Sequence, residues 1–319
     1  MSQHAKIYVA GHNGLVGSAL MRQLQAYGYT NIVTRSHKEL DLTDKQKVAD
    51  FFALEQPEYV FLAAAKVGGI YANNTYPADF IRENINIQQN VIDQAYKHQI
   101  KRLLFLGSSC IYPKNCPQPM KEDYLLSGPL ELTNRPYAIA KIAGIEMCWS
   151  YNRQYHTQYL AVMPTNLYGP NDNYDLTTSH VLPALIRKFH EAKINNQAQV
   201  EVWGSGRPKR EFLYSDDMAD ACIFLMNLDD GTYNTLIVSD TNPPLINIGC
   251  GEDISILELA KMVKEIVGYS GDIVLNKTKP DGTMRKLLDV ENLTRLGWKY
   301  HMSLENGIQA TYKAYQNNF

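Results

Sequence analysis

Three glycines at a fixed spacing near the N-terminus constrain the fold of this chain more than any other feature. An apolar run at residues 6–10 leads directly into Gly11, Gly14 and Gly17, and an amphipathic stretch covers residues 15–27. A tight glycine turn between a strand and a helix lets a pyrophosphate approach backbone N–H groups, and the helix N-terminus favours its negative charge. The spacing therefore predicts a dinucleotide-binding loop, with a plain glycine turn as the alternative. The residues expected to contact the dinucleotide here are Gly11, His12, Asn13, Gly14, Leu15, Val16 and Gly17.

Short β-branched or aromatic runs alternate with longer amphipathic stretches through the first half of the chain. The runs at residues 31–34, 59–64 and 102–107 are typical of strands, and the stretches at 44–56 and 84–98 are typical of helices. This alternation predicts βαβ units and a parallel sheet with helices on both faces. We therefore predict an α/β fold, a Rossmann-type doubly wound parallel sheet with a smaller mixed α/β substrate domain.

Regular alternation is lost after residue 166, where the smaller domain is expected to begin. A strand at residues 245–249, followed by a helix at 256–267, predicts that the chain later returns to the main sheet. The predicted dinucleotide-binding domain covers residues 1–166 with parts of about 208–250, and the predicted substrate-binding domain covers 167–207 and about 251–319.

The composition excludes several classes of protein. The 319 residues include 31 Lys plus Arg and 33 Asp plus Glu, giving a formal net charge of −2, so a general nucleic-acid binder is not expected. The longest apolar runs are strand-sized, well short of the roughly 18 residues that a membrane helix needs. The N-terminus lacks the apolar segment of a signal peptide, so we expect a cytoplasmic protein. Five cysteines without a C-x-x-C pair or a histidine cluster favour reduced thiols and no metal site.

The residues after the second predicted strand indicate which dinucleotide is bound. Folds that prefer NAD place an Asp or Glu there to bind the ribose 2′-hydroxyl. Here the sequence has Arg35 and Ser36, followed by His37 and Lys38. Because a guanidinium offers a forked set of donors to a phosphate, Arg35 and Ser36 favour the 2′-phosphate of NADP. The alternative is a solvated turn, which is the favoured interpretation for Lys38.

A tyrosine and a lysine four residues apart indicate proton chemistry. Tyr137 and Lys141 share one face of a predicted helix. A nearby ammonium stabilises a tyrosinate and lowers the pKa of the phenol, so Tyr137 would exchange a proton with a carbonyl oxygen near neutral pH. Ser108 follows Gly107 at a strand end, where its hydroxyl would complete a donor set around that oxygen.

With the glycine loop, the serine and the Tyr-x-x-x-Lys pair in this order, the chain resembles the extended short-chain dehydrogenase/reductase family along nearly its whole length. Within that family it is similar to the branch that converts GDP-4-keto-6-deoxy-D-mannose to GDP-L-fucose. The motifs that carry this likeness are AAAKVGGI (residues 63–70), NNTYPADF (73–80), GSSCIYP (107–113), PTNLYGP (164–170) and KPDGT (279–283). The resemblance implies epimerisation at C3 and C5, reduction at C4 with NADPH, and a homodimer formed through helices that include residues 84–98.

The resemblance also implies roles for further residues. It makes Cys110 the base and His180 the acid of the two epimerisations, which need proton carriers on opposite faces of the sugar. From the residues alone, Cys110 would be an inert core thiol and His180 a histidine bonded to backbone at a helix start. Lys141 is implied to hold the ribose hydroxyls. The other implied cofactor contacts are Leu106, Gly107, Ser108, Ser109, Pro164, Thr165, Asn166, Leu167 and His180.

For the nucleotide-sugar, the resemblance points to Asn166, Lys188, Trp203, Arg210 and Asp281. Arg210 and Lys188 would neutralise the diphosphate, and Trp203 would offer an apolar face. The alternatives are a solvated face for the two cations and a core position for Trp203. His37 stands where other members of the branch often have a second arginine, which bears on the preference for a 2′-phosphate.

Two rival functions remain. One is an NAD(P)-dependent nucleotide-sugar 4-epimerase or dehydratase of the same superfamily. Dehydratases carry an Asp-Glu pair near this strand end, where this chain has Ser109 and Cys110. The other is a non-catalytic NADP-binding regulator, against which the intact set of candidate catalytic residues argues.

Overall fold

Six parallel strands form the central sheet of the computed structural model, which describes residues 1–279 and 281–318. The strands of the chain are β1 (Ile7–Ala10), β2 (Ile32–Val33), β3 (Tyr59–Leu62), β4 (Arg102–Leu106), β5 (Tyr159–Pro164), β6 (Asn166–Tyr168), β7 (Gln199–Trp203), β8 (Lys209–Tyr214), β9 (Leu245–Ile248), β10 (Asp253–Ser255), β11 (Asp272–Asn276) and β12 (Arg285–Lys286). The helices are α1 (Leu15–Ala26), α2 (Lys45–Glu55), α3 (Ile70–Thr75), α4 (Pro77–Lys97), α5 (Arg135–Tyr155), α6 (Val181–Ile194), α7 (Ser215–Asn227), α8 (Asp230–Ile237), α9 (Ile256–Val267), α10 (Glu291–Arg295) and α11 (Leu304–Asn318). The central sheet has the order β2-β1-β3-β4-β5-β9.

Helices cover both faces of this sheet because successive side chains of its strands point to opposite sides. Tyr8 and Ala10 pack into a cluster with residues of α2, α4 and α5. Ile7 and Val9 pack into a second cluster with residues of α1 and α7. Each large apolar side chain buried this way contributes about 1.5–3 kcal/mol. The predicted doubly wound α/β fold is confirmed, and β9 returns to the sheet beside β5, as predicted.

A second group of strands lies outside the central sheet. Strand β8 pairs with β10, β12 and β6, and β7 pairs with β11. A third apolar cluster is built here from α6, α9 and α11, with Phe189, Phe212 and Leu259 among its buried side chains. Leu293 and Trp298 instead pack in the cluster that includes α1 and α7. The predicted domain boundaries stay a prediction.

Three amide side chains of α4 bond to backbone carbonyl oxygens inside the chain. Asn84 donates to the carbonyl oxygens of Lys66 and Phe80, at 3.0 and 2.7 Å. Gln88 donates to the carbonyl oxygen of Ala140 at 2.7 Å, and Asn90 to that of Leu42 at 2.9 Å. All three are buried, and the homodimer predicted through helices that include residues 84–98 stays a prediction.

Within residues 1–279 and 281–318, no helix is long and apolar enough to span a membrane. All five cysteines are free thiols.

Candidate active site

The candidate site residues meet at one edge of the central sheet. The glycine loop follows β1, Arg35 and Ser36 follow β2, and Gly107 to Ser109 follow β4. All neighbouring strands of this sheet run parallel, so their carboxyl ends share one edge. The strand order reverses at β1, with β2 on one side and β3 on the other. Open α/β sheets bind ligands at such a point, and the predicted cofactor residues surround it.

The three glycines of the loop have different surroundings: Gly11 and Gly17 leave no room for a side chain, and Gly14 has free space beside it. Gly11 has a φ of +86°, and a Cβ there would lie 2.8 Å from the backbone of Ala64. A Cβ on Gly17 would lie 1.9 Å from the carbonyl oxygen of Gly11, so Gly17 permits the close packing of α1 on the loop. The space beside Gly14 is open, with the nearest atom at 3.5 Å. The first N–H groups of α1 have no partner within the helix.

His12 supplies a second sign that this loop is built for a ligand. Its Nδ1 atom is buried and has no hydrogen-bond partner among the residues that the structure describes. A buried polar atom without a partner costs free energy unless a ligand or water satisfies it. The loop residues therefore fit a dinucleotide phosphate.

Arg35 and Ser36 are already engaged by carboxylates. The Arg35 guanidinium donates to the carbonyl oxygen of Thr34 at 2.7 Å and to Glu55, and it lies over the Phe51 ring at 5.5 Å. Ser36 donates from both its backbone N–H and its hydroxyl to Glu39 at 2.7 Å. In the turn after β2, the donors of Arg35 and Ser36 are therefore already bonded to Glu55 and Glu39, which the sequence did not predict.

Lys141 and Tyr137 lie side by side on α5, as their spacing predicts. Lys141 is buried and donates from Nζ to the carbonyl oxygen of Leu106 at 2.7 Å. Burial lowers its pKa to about 8. The ammonium lies 5.8 Å from the centre of the Tyr137 ring. Burial raises the pKa of Tyr137, while the Ser108 hydroxyl acts in the opposite direction.

Ser108 stands between the phenol and the Cys110 thiol. It begins a 3₁₀ turn at Ser109–Ile111, and its hydroxyl accepts from the N–H of Cys110 at 3.4 Å. Burial raises the pKa of the Cys110 thiol, while Ser108 and the ammonium groups of Lys286 and Lys141 act to lower it. Cys110 is 8% exposed, and that exposure opens into the cavity described below.

His180 faces the same cavity from the second group of elements. It precedes the first turn of α6, and its side chain makes no capping bond there, so the alternative role at a helix start has no support. Its ring lines the cavity. Desolvation by the surrounding residues and the positive charge of Lys286 both lower the pKa of the imidazole. The imidazole is therefore neutral near pH 7.

Lys286 is the main site residue that the sequence did not reveal. Strand β12 pairs with β8 so that Lys286 lies opposite Arg210. Its ammonium acts on the pKa of both Cys110 and His180 and lies among the cavity residues. A single lysine after the KPDGT motif carries no signal of its own, since only the pairing of two distant strands places it here.

One cavity of about 1010 Å³ joins these groups. The predicted residues along its walls are Ser108, Ser109, Cys110, Tyr137, Asn166, Leu167, His180, Trp203, Arg210 and Asp281. Lys141 and Lys188 do not line the cavity themselves. Lys188 contacts the cavity residue Trp203, with its Nζ 5.2 Å from the centre of the ring. Trp203 is 58% exposed, so it is not a core residue. Lys279, not predicted as a site residue, lies 5.1 Å from the same ring.

At the far end of the cavity, hydrogen bonds join the loop after β7 to the loop before β12. Asp281 accepts from the N–H of Ser205 at 2.8 Å and from its hydroxyl at 2.7 Å. Arg210 donates to the carbonyl oxygen of Thr283 at 2.6 Å, and burial lowers its pKa. These contacts keep a guanidinium at the cavity instead of on a solvated face. Pro280 of the KPDGT motif lies outside the described residues.

Three polar atoms of the cavity lining are buried without a hydrogen-bond partner in the described part of the chain. They are Asn73 Oδ1, Asn134 Oδ1 and Ser179 Oγ. A polar ligand with several hydroxyl groups would satisfy them. Across the described ranges, no group of His, Cys, Asp and Glu has the arrangement of a metal site.

The fold and the site define a nicotinamide-dependent enzyme of the short-chain dehydrogenase/reductase type. The NAD dependent epimerase/dehydratase family matches residues 7–238, and the chain belongs to this family. It is 56% identical over 314 residues to GDP-L-fucose synthase 1 of Arabidopsis thaliana, covering 98% of this chain and 94% of that protein. It is 54% identical over 315 residues to GDP-L-fucose synthase of Escherichia coli, covering 98% of this chain and 97% of that protein.

A solved structure shares the fold closely. The GDP-mannoheptose C4 reductase MlghC of Campylobacter jejuni, with NADP bound, superimposes with a TM-score of 0.91 at 44% identity, covering 99% of each chain. The family resemblance inferred from the sequence motifs is confirmed.

Proposed function

We propose that this chain converts GDP-4-keto-6-deoxy-D-mannose to GDP-L-fucose by 3,5-epimerisation and NADPH-dependent reduction at C4. The observation that carries the proposal is one cavity lined by Ser108, Cys110, Tyr137 and His180. Two of these groups serve a reductase, and the other two are the additional proton carriers that epimerisation requires. The identity of 54–56% to two GDP-L-fucose synthases supports the same conclusion.

Epimerisation uses the acidity of carbons that flank the C4 ketone. Removal of a proton from C3 or C5 gives an enolate, whose oxygen accepts hydrogen bonds from Tyr137 and Ser108. Return of a proton to the opposite face inverts the carbon. Cys110 and His180 lie on different elements, the turn after β4 and the start of α6, and both line the cavity. In this proposal they serve opposite faces of the sugar.

In the free protein, Cys110 and His180 are not in the protonation states that their predicted roles as base and acid require. Burial keeps the Cys110 thiol protonated, and His180 is neutral. For Cys110 to act as the base, its proton must first leave, and the ammonium groups of Lys286 and Lys141 favour the thiolate that results. His180 then acts as the acid once it carries a proton.

Reduction uses the groups at the end of β4. NADPH, when bound, supplies the hydride that reduces the C4 ketone. Tyr137 donates the proton to the C4 oxygen, and Ser108 holds that oxygen by a second hydrogen bond. Lys141 holds the ribose hydroxyls, since its Nζ retains donors beyond the one used by Leu106. Its ammonium, 5.8 Å from the centre of the Tyr137 ring, stabilises the tyrosinate that remains once the proton has been transferred.

The cofactor lies along the carboxyl edge of the central sheet in this proposal. The first N–H groups of α1 and the open side of Gly14 receive the pyrophosphate. Arg35 and Ser36 receive the 2′-phosphate. Arg35→Glu should therefore raise the KM for NADPH more than the KM for NADH, and equal effects on both would contradict this assignment.

The nucleotide-sugar enters from the second group of elements. Arg210 and Lys188 neutralise its diphosphate, and Trp203 offers a ring face to its nucleoside. Asn73, Asn134 and Ser179 bind the sugar through their unpaired polar atoms. The predicted domains divide along this line, with the cofactor on the central sheet and the sugar nucleotide on the smaller unit. A homodimer and a cytoplasmic location stay predictions.

Turnover assays distinguish this proposal from its rivals. With GDP-4-keto-6-deoxymannose and NADPH, we expect the absorbance at 340 nm to fall as the reduced cofactor is consumed in proportion to the sugar. A 4-epimerase or a dehydratase would cause no net consumption, and a regulator would bind NADPH without turnover. Either result would contradict the proposal.

A further inference from the structure

Glu39 occupies the donors that a 2′-phosphate would use. Its carboxylate oxygen Oε2 accepts from the N–H of Ser36 at 2.7 Å and from the Ser36 hydroxyl at 2.7 Å. Both donors converge on one carboxylate oxygen, as they could on one oxygen of a phosphate. The Ser36 bonds lower the pKa of Glu39, so the carboxylate is charged near neutral pH.

The position of Glu39 relative to the glycine loop fixes where this anion lies. Glu39 is bonded to Ser36 just beyond the end of β2, and β2 pairs in parallel with β1, so the carboxylate lies at the same edge of the sheet as the glycine loop. His12 also has the buried, unpartnered Nδ1 described above. An adenosine ribose on this loop would therefore place its 2′ position near Ser36 and Glu39.

Among the described residues, no Lys, Arg or His forms a salt bridge with the Glu39 carboxylate. The Arg35 guanidinium is turned toward Glu55 and the carbonyl oxygen of Thr34. His37 is 83% exposed at its side chain and faces Asp41 at 4.0 Å. Glu39 itself is exposed, so its carboxylate can swing into water with little cost in burial.

We propose that Glu39 is a cofactor-specificity residue, whose carboxylate competes with the 2′-phosphate of NADPH for the Ser36 donors. NADPH must displace Glu39 and then tolerates a nearby negative charge. NADH leaves the carboxylate in place, where it can accept a hydrogen bond from the 2′-hydroxyl. Glu39 therefore makes the preference for NADPH over NADH smaller than Arg35 and Ser36 alone would give. The inference rests on the proposed binding of a nicotinamide dinucleotide at this loop.

Glu39→Gln tests the competition because glutamine keeps an acceptor oxygen for Ser36 but removes the charge. Isothermal titration of the purified protein with NADP+ and NAD+ measures both dissociation constants. We expect the variant to bind NADP+ about three- to five-fold more tightly and NAD+ no more tightly than the unaltered chain, which is the scale of an exposed charge interaction. The gain should shrink at high salt, since exposed charges are screened.

The chain offers a matched control in the same Ser-x-x-Glu arrangement. At the start of α9, Glu258 accepts from the N–H of Ser255 at 3.1 Å and from its hydroxyl at 2.5 Å. Glu258→Gln removes an equivalent charge in the first turn of α9, outside the central sheet, and should leave both dissociation constants unchanged.

Unchanged or weaker NADP+ binding in Glu39→Gln, with Glu258→Gln unaltered, would overturn the inference. Ser36→Ala gives an independent reading if Glu39→Gln unfolds, because loss of the hydroxyl donor should weaken NADP+ binding and spare NAD+. Equal effects of Ser36→Ala on both cofactors would also overturn it. Failure of the unaltered chain to bind either dinucleotide would overturn the proposed function as well, which binding measurements reveal separately from turnover.

Discussion

The ammonium of Lys141 lies 2.7 Å from the carbonyl oxygen of Leu106, at the point where β4 ends and the candidate catalytic turn begins. This hydrogen bond joins α5 to the central sheet one residue before Gly107. It fixes the Tyr137 side of the helix against Ser108. The same buried ammonium has a pKa lowered to about 8, so the site holds a charge that the fold disfavours.

Lys141→Met should therefore stabilise the protein at pH 7 while removing activity. Relief of the buried charge is worth roughly 3 kcal/mol for a pKa shift of this size, and loss of the Leu106 hydrogen bond costs about 1–2 kcal/mol. Urea unfolding without cofactor should show a net gain of about 1–2 kcal/mol. A variant less stable than the original at pH 7 would contradict the account.

The pH dependence of stability has a defined sign for this lysine. Its pKa is lower in the folded protein than in the unfolded chain, so the cost of the charge is fully present below pH 8. That cost disappears as the pH rises from about 8 to about 10.5, where only the unfolded chain still binds the proton. The difference in unfolding free energy between Lys141→Met and the original chain should therefore shrink over this range. A constant difference would exclude titration of Lys141 as its source.

Tyr137→Phe should lower the rate of NADPH oxidation by about 10²- to 10⁴-fold, because the proton donor to the C4 oxygen is lost. The dissociation constant for NADP+ should stay within about two-fold, since no charge changes at the cofactor loop. Tyr151→Phe on the same helix lies away from the cavity and serves as the control. Retained turnover in Tyr137→Phe would remove this residue from the chemistry.

Cys110→Ser should slow epimerisation and release C4-reduced sugars that keep the original configuration at C3 or C5. A serine hydroxyl is a far weaker base than a thiolate, while Tyr137 and Ser108 still support reduction. Cys250→Ser is the matched control, because Cys250 lies outside the cavity and donates only to the carbonyl oxygens of Phe212 and Glu252. The role of Cys110 is contradicted if its variant gives the same product at the same rate.

Gly14→Ala and Gly17→Ala test two roles of the glycine loop separately: binding of the pyrophosphate at Gly14 and packing of α1 at Gly17. An alanine at Gly17 would press its Cβ to 1.9 Å from the Gly11 oxygen, so we expect a loss of several kcal/mol of stability. An alanine at Gly14 meets no atom closer than 3.5 Å and should fold normally. It should nevertheless weaken NADP+ binding, because the methyl group enters the space for the pyrophosphate. Normal NADP+ binding by Gly14→Ala would place the pyrophosphate elsewhere.

The sequence predicted those parts of the site that depend on local spacing. The glycines, Tyr137 and Lys141, and Ser108 at a strand end each lie within one strand-turn-helix unit, so hydrophobic pattern and spacing were enough to place them. Trp203, Arg210 and His180 were implied by the family resemblance, and all three line the cavity.

Other features depend on contacts between distant segments and had no local signal. Lys286 reaches the cavity only because β12 pairs with β8. The amide of Gln88 in α4 donates to the carbonyl oxygen of Ala140 in α5 only because these two helices pack together. Arg35 bonds to Glu55 at the end of α2, twenty residues further along the chain, and no local pattern indicates this contact.

The central claim is that one cavity both epimerises and reduces the same sugar. The most direct test incubates the protein with GDP-4-keto-6-deoxymannose and NADPH in D₂O and identifies the product by NMR. We predict GDP-L-fucose carrying deuterium at C3 and C5, since both protons are exchanged with groups open to solvent. A C4-reduced, unepimerised sugar without deuterium would contradict the roles of Cys110 and His180 and leave only a reductase.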